Sequence, residues 1–172
     1  SQKACGQIHT CGSVSTLIQR LTQALSEGQV ESDPEGLTPL RRDICRFELG
    51  APLLCVTPHT SDEVAEVVRI AAEFRVPIVP FGKRSSYWRP LHFDDAIALS
   101  LDGLQGAGEA RAESQWFGAG TSVRQVHEFF LAQGKVLGCH PDAYGDTSIG
   151  AMVATGFKSG CGMGTYKLAD IA

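Results

Sequence analysis

The sequence predicts a domain that mixes helices and strands, of the α+β or α/β class. The first observation is a strand–helix–strand start, in which apolar runs at 53–56 and 76–80 flank an amphipathic segment at 62–74. The second is a further pair of strand-like runs followed by another amphipathic segment. The third is composition: 43% of the 172 residues are hydrophobic and 20% are charged, which supports a core and excludes disorder for most of the chain.

The N-terminal segment is predicted to hold a tail, one helix and a linker. Ser13 caps a helix that runs to about Glu27 and stops at Gly28. Its apolar side chains recur at helical spacing: Val14, Leu17, Ile18, Leu21 and Leu25. The polar stretch that follows is either a linker or an ordinary surface loop. We therefore divide the chain into an N-terminal segment, 1–36, and a main domain, 37–172.

The main domain begins with the strand–helix–strand unit. Leu53–Val56 is a short buried strand, and Ser61 caps a helix from about Asp62 to Phe74. Val76–Pro80 is a second apolar strand, which leads into the loop Phe81–Pro90.

The later elements are two more strands and a helix. Ala96–Leu101 and Ser114–Gly118 read as strands joined by a glycine-rich turn. Thr121 or Ser122 caps a helix that ends near Gln133. Beyond it the sequence is rich in glycine, and no further helix is predicted there.

Charge and cysteine usage exclude several classes of protein. Lys and Arg number 15 against 19 Asp and Glu, a net charge of −4, so a nucleic-acid binder is not expected. The six cysteines form no C-x-x-C pair and no Cys/His set at zinc spacing, so no metal site is predicted. We interpret them as reduced thiols of an intracellular, cytoplasmic protein. No apolar run approaches the length of about 20 residues of a membrane-spanning helix.

Two motifs could carry chemistry. The first is PFGKRSS, residues 80–86, directly after a strand; its backbone N–H groups, hydroxyls and two cations suit an anion such as a phosphate, although an exposed basic loop would look the same. The second is the glycine-rich stretch from His140 to Gly164, where small residues let the backbone approach a ligand. Neither contains the G-x-G-x-x-G or G-x-x-x-x-G-K-[ST] pattern of other nucleotide sites.

The order of these pieces from Leu37 to Ala172 resembles the flavin-binding domain of the vanillyl-alcohol-oxidase-type family of FAD enzymes. The matching pieces, in chain order, are Arg42–Asp43, the helix opening at Pro58, Thr60, Ser61, Glu63 and Val64, VPIVPFG, Leu101–Asp102, Gly118–Ala119–Gly120, Pro141–Asp142, Ile149–Gly150, Val153–Ala154–Thr155 and Tyr166 to Asp170. The PFG and HPD segments look closest to alkylglycerone-phosphate synthase. The VAT segment looks equally like D-lactate and glycolate dehydrogenases.

The resemblance implies an α+β fold, here the N-terminal portion of the FAD-binding domain, and non-covalently bound FAD. It places the diphosphate against residues 80–86 and the ring systems near 141–147 and 155–158. The implied cofactor-binding residues are Pro80, Phe81, Gly82, Lys83, Arg84, Ser85, Ser86, Pro141, Asp142, Ala143, Tyr144, Gly145, Asp146, Thr147, Gly150, Thr155, Gly156, Phe157 and Lys158. The resemblance identifies no catalytic residue.

The diphosphate loop departs from the family pattern. Family members carry three consecutive glycines followed by Thr-Ser, whereas here only Gly82 is kept and Lys83 and Arg84 follow it. A side chain at a position that needs positive φ costs about 1–2 kcal/mol. Two cations near a diphosphate could instead contribute about 1.5–3 kcal/mol each. The substitutions therefore either obstruct the cofactor or compensate for the lost glycines.

The resemblance implies a domain or subunit of an FAD-dependent oxidoreductase that acts on a hydroxy acid or an alcohol. One alternative is part of a lipid enzyme like alkylglycerone-phosphate synthase, and the other is a shortened, non-catalytic domain that has lost tight FAD binding. Family members continue into a cap domain that carries the substrate side. We therefore expect the missing C-terminal or cap region, or a partner subunit, to complete the enzyme, and we expect this chain alone to be inactive.

Overall fold

A central parallel sheet organises the computed structural model, which describes residues 11–42, 47–85, 91–111, 114–135, 137, 145 and 147–155. The elements, in chain order, are α1 (Cys11–Ala24), β1 (Val30–Glu31), a 3₁₀ turn (Thr38–Leu40), β2 (Leu54–Val56), α2 (Ser61–Phe74), β3 (Ile78–Phe81), β4 (Ile97–Ser100), β5 (Ala107–Arg111), β6 (Ser114–Phe117), α3 (Val123–Leu131) and α4 (Ile149–Thr155). Mixed helices and strands confirm the predicted fold class.

The larger sheet has the strand order β1-β2-β4-β3. β4 lies in the middle, with β2 and β3 parallel to it on either side, so that Ile97 stands opposite both Leu54 and Ile78. All four residues of β4 are buried, as expected for a parallel strand covered on both faces. β1 runs antiparallel to β2, so part of the segment predicted as a linker or loop extends the sheet.

Alternation along the strands divides the interior into two cores. Leu54, Val56, Ile97 and Leu99 point to one face, where α1 and α2 cover them. The intervening Cys55, Val79 and Ala98 point to the other face. There they meet residues from segments without regular structure, namely Leu37, Leu49 and Phe93. The helix of the predicted N-terminal segment therefore packs on the main sheet, while the division at residue 37 stays a prediction.

Both longer helices of the main domain begin with a capping box. Thr60, rather than the predicted Ser61, accepts a hydrogen bond from the Glu63 N–H at 3.1 Å, and the Glu63 carboxylate accepts one from the Thr60 N–H at 3.3 Å. Ser122, one of the two predicted caps, pairs in the same way with Gln125. The prediction for α2 was wrong by one residue because Ser and Thr are adjacent and both can cap.

The second half of the described chain contains two elements that local sequence did not predict. β5 pairs with β6, although the glycine-rich segment was expected to be only a turn. Pairing with a neighbour outweighs the weak strand propensity of its small residues. α4 lies in the stretch where no helix was expected, and its Met152 is buried beside Val123 and Val126 of α3.

Candidate functional site

A cavity of about 290 Å³ lies between the loop after β3 and the helix α4. From the segments up to residue 101 it is lined by Leu49, Pro80, Phe81, Gly82, Lys83, Arg84, Ser85, Leu91 and Leu101. From the second half it is lined by Ser148, Gly150, Ala151, Ala154 and Thr155. The cavity therefore joins the two motifs that the sequence singled out, in a place that neither motif defines alone.

The parallel sheet positions the first wall. β3 ends at Phe81, whose carbonyl accepts a hydrogen bond from the Leu101 N–H at 2.9 Å just beyond β4. The Phe81 ring packs edge-on against Phe93, with centroids 5.7 Å apart. The loop Gly82–Ser85 therefore leaves the carboxyl end of a fixed strand, which is where ligands bind in open sheets with parallel strands.

Backbone hydrogen bonds to the turn before α3 position the second wall. The Ile149 and Gly150 N–H groups donate to the carbonyls of Thr121 and Ala119, at 2.8 and 2.9 Å. A Cβ on Gly150 would lie 2.8 Å from the Ala119 carbonyl oxygen, so a larger residue would push α4 outward. Gly150 is thus required by a close backbone approach.

The two walls touch through small groups. A Cβ on Gly82 would lie 2.5 Å from the Ser148 hydroxyl oxygen, so the missing side chain lets the loop reach the start of α4. The hydroxyls of Ser85 and Thr147 lie 3.3 Å apart and join the same two segments. Close packing against Ser148 therefore requires glycine at position 82, whereas side chains are accommodated at the next two positions.

The two cations of the loop have different environments. The Lys83 ammonium lies 3.1 Å from a carboxylate oxygen of Asp102, in the turn after β4. The Arg84 guanidinium donates to the Pro39 carbonyl at 2.5 Å and lies over the Phe81 ring, 5.9 Å from its centroid. Arg84 also has φ +54°, in the left-handed region that favours glycine, whereas Lys83 does not.

Burial affects one thiol behind the first wall. Cys55 of β2 is half-buried, and the loss of hydration raises its pKa above the usual 9.0. Its thiol is free. The other five cysteines lie in segments whose side chains are outside the described part of the chain, so their predicted reduced state stays a prediction.

The predicted site residues divide into three groups. Eight line the cavity: Pro80, Phe81, Gly82, Lys83, Arg84, Ser85, Gly150 and Thr155. Thr147 contacts Ser85, while Gly145 is backed by the Arg124 side chain and is not a lining residue. The remaining ones fall outside the described residues: Ser86, Pro141, Asp142, Ala143, Tyr144, Asp146, Gly156, Phe157 and Lys158.

Sequence reasoning missed the apolar part of the lining and the partners of the cations. Leu49 and Leu91 carry no signal that separates them from ordinary core residues, whereas Ala151 and Ala154 lie in the stretch of small residues that the sequence had singled out. Asp102 offered one signal, because a carboxylate directly after a buried strand lies at the carboxyl edge of the sheet.

Taken together, a parallel sheet, an anion-compatible loop at its carboxyl edge and an apolar cavity define a nucleotide-type cofactor domain. A family model described as "FAD binding domain" matches residues 52–171. The chain belongs to this family of FAD-binding domains, which confirms the predicted resemblance to the flavin-binding domain of FAD enzymes and points to FAD as the cofactor.

Solved structures support the fold. A structure of p-cresol methylhydroxylase with substrate bound superposes with a TM-score of 0.74 at 19% identity, covering 87% of this chain and 31% of that one. Alkyldihydroxyacetonephosphate synthase gives 0.71 at 19%, with 83% and 29% covered. 4-Ethylphenol oxidase from Gulosibacter chungangensis gives 0.71 at 14%, with 84% and 29% covered. The chain therefore spans about a third of the length of these structures. A search of curated proteins finds no match.

The residues of the cavity fit FAD. Phe81, Leu49 and Leu101 offer an apolar wall for a flat ring system, and Lys83, Arg84 and Ser85 offer donors for a diphosphate. Arg84 holds the backbone conformation that a glycine would adopt, so the loop keeps that part of its path despite the substitution. Within the described residues, no set of three His, Cys, Asp or Glu could hold a metal ion, and no helix is long and apolar enough to cross a membrane.

Proposed function

We propose that this chain provides the FAD-binding part of an FAD-dependent oxidoreductase that acts on a hydroxy acid or an alcohol. The diphosphate would lie against Gly82–Ser86, and the ring systems near 141–147 and Thr155. The observation that carries the proposal is the cavity itself. It brings the loop after β3 and the start of α4 together, although they are more than 60 residues apart in the chain.

When bound, FAD supplies two-electron oxidation of the substrate, and the protein contributes binding and orientation. Phe81, Leu91 and Leu101 would exclude water from one side of the cofactor. Gly82 would keep the two walls at their spacing, because a Cβ there meets Ser148 of the opposite wall. Gly150 would keep α4 against the turn before α3, because a Cβ there meets Ala119. The donors of Lys83 and Ser85 would hold the charged end.

A second candidate is a lipid enzyme like alkyldihydroxyacetonephosphate synthase. The PFG and HPD segments look closest to that branch, and its solved structures superpose with a TM-score of 0.71. Assaying the complete enzyme for oxidation of hydroxy acids and alcohols, and for formation of an alkyl dihydroxyacetone phosphate, separates the two candidates. Production of an ether-linked lipid would exclude the oxidase proposal.

We propose that the substrate side of the pocket lies outside this chain. The chain spans only about 31% of the p-cresol methylhydroxylase chain. We therefore propose that a further region of the same enzyme, or a partner subunit, completes the substrate pocket, and that the enzyme is intracellular. The purified chain is therefore expected to show no turnover of hydroxy acids or alcohols in an assay with an artificial electron acceptor. Steady turnover by the 172 residues alone would contradict this expectation.

The cofactor site is tested by filling the cavity. Ala154→Leu adds a branched side chain to the lining and should weaken FAD binding about tenfold or more, measured by the quenching of flavin fluorescence on titration. Ala65→Leu, on the exposed side of α2, is the matched control and should bind like the wild type. Equal affinities of the two variants would place the cofactor elsewhere.

A simpler observation comes first. The purified protein should be yellow or take up FAD on incubation, and denaturation should release fluorescent flavin, since the attachment is expected to be non-covalent. A colourless protein that takes up no FAD would favour the shortened, non-catalytic alternative.

A further inference from the structure

The two cations that replace the loop glycines are held by partners of different kinds. Lys83 pairs with a charged group, the Asp102 carboxylate, at 3.1 Å. Arg84 is bound to a neutral carbonyl, that of Pro39, and packs on the Phe81 ring. The family pattern offers no counterpart, because the positions of Lys83 and Arg84 are normally glycine.

These partners respond differently to an arriving anion. Arg84 connects its loop to the 3₁₀ turn, and moving it would break a hydrogen bond and a ring contact at once. Lys83 can exchange one anionic partner for another without leaving its charge unpaired, and an ammonium on a flexible stem suits such an exchange. The Asp102 side chain is 39% exposed, so water can solvate its carboxylate after the exchange.

We propose that Asp102 is a positioning residue that holds Lys83 beside the cavity, and that a diphosphate takes over the Lys83 ammonium while Arg84 remains bound to Pro39. This inference deepens the proposed function and rests on it for the identity of the ligand. Lys83 then replaces backbone N–H donors of the glycine loop with one mobile charge, and Arg84 supplies the glycine-like backbone conformation. The loop would bind its anion by ion-pair exchange.

The affinity for FAD should change in opposite directions in two variants. Lys83→Met removes the donor and should weaken binding about tenfold and reduce its dependence on salt. Asp102→Asn removes the competing partner and should strengthen binding about two- to fivefold, the range typical of a partly exposed ion pair. Lys135→Met, an exposed lysine outside the cavity, is the control and should change nothing.

A second measurement needs no variant. Amine-reactive labelling followed by mass spectrometry reports the accessibility of Lys83 with and without FAD or inorganic pyrophosphate. Either anion should protect Lys83 and leave Lys135 unchanged, and labelling of Lys83 without an anion should rise in Asp102→Asn. Circular dichroism on each variant checks that the fold is intact.

The outcomes separate this inference from the proposed function. If FAD binds while Lys83 stays fully reactive, the exchange is wrong and the cofactor site stands. If pyrophosphate protects Lys83 but FAD does not bind, the exchange stands and the cofactor proposal fails. If neither anion protects Lys83, or if Asp102→Asn weakens binding, the exchange is overturned.

Discussion

The two halves of the molecule are built differently, and the cofactor cavity lies where they meet. In the first half, strands β1 to β4 are covered on one face by α1 and α2, and eleven buried residues form the core on that face. In the described part of the second half, the buried core beside the hairpin β5–β6 consists of two residues of α3, one of α4 and Leu137. Among the residues that the structure describes, one wall of the site therefore rests on a larger core than the other.

Exposure of apolar side chains shows the same difference. Among the described residues, Trp116, Leu131 and Val153 of the second half are each more than half exposed, whereas in the first half this holds for Phe47. Its interior relies on aromatic contacts, such as Phe117 edge-on to Phe129 at 5.2 Å. Since local stability follows the number of buried contacts, the wall formed by α4 should open more readily than the wall formed by β3.

Truncation of one core residue in each half should have the largest effect on the free energy of unfolding. Ile97→Ala in the central strand should lower the free energy of unfolding by about 4 kcal/mol, because the strands on both sides cannot move in to fill the space that the truncated side chain leaves. Met152→Ala in α4 should lower it by about 2 kcal/mol, because a short helix beside a small core can readjust. Urea unfolding measures both. A larger loss at Met152 would reverse the comparison.

Close packing between the halves predicts the next effect. The turn before α3 passes close to the residue that follows β4, so a Cβ on Gly120 would overlap the Leu101 carbonyl. Gly120→Ala should therefore destabilise the protein by about 2 kcal/mol. Gly108→Ala in β5 is the matched control, since its Cβ would meet Trp116 at an ordinary 3.6 Å. If both variants lower the melting temperature equally, the two halves are not tightly packed at Gly120.

Arg84 permits a finer test of the wall on the β3 side. Both Arg84→Gly and Arg84→Ala remove the hydrogen bond to Pro39, but only alanine retains the strain of φ +54°. The glycine variant should be more stable than the alanine variant by about 1 kcal/mol in chemical denaturation. Equal stabilities would mean that the loop relaxes to negative φ once the guanidinium is gone.

Changes in the capping boxes of α2 and α3 should have the smallest effect on the free energy of unfolding, and this effect depends on pH. Hydrogen bonds from the His59 backbone and the Gln29 side chain lower the pKa of Glu63 below its usual 4.5. A lowered pKa in the folded state contributes stability above about pH 4.5 that is lost as the pH falls through the lowered value. Glu63→Gln should be less stable than the wild type at pH 7 and less sensitive to acid.

The box of α3 provides the reciprocal control, because its partner residue is already neutral. Gln125→Glu should introduce acid sensitivity that the wild-type box of α3 lacks. Unfolding free energies measured from pH 3 to pH 7 test both variants. Acid sensitivity that is the same in Glu63→Gln and in the wild type would assign the effect to other carboxylates.

Much of the fold was predictable because its signals are local. The strand at Leu54–Val56 and the helix after Thr60 follow from apolar periodicity and a capping pattern within a few residues. The missed elements depend on distant partners. β5 exists because β6 lies beside it, and α4 because its first N–H groups reach the carbonyls of Ala119 and Thr121.

The sequence by itself determined the class of the domain, its family and the two segments that form the site, because the order of short motifs survives in the linear chain. Only the tertiary structure decided how these segments work together. It paired Lys83 with Asp102 across 19 positions, Arg84 with Pro39 across 45, and Ser85 with Thr147 across 62. The physical reason is that a charged or hydroxyl side chain has no defined partner in the linear sequence. It gains one only when the folded sheet brings distant segments within hydrogen-bond distance.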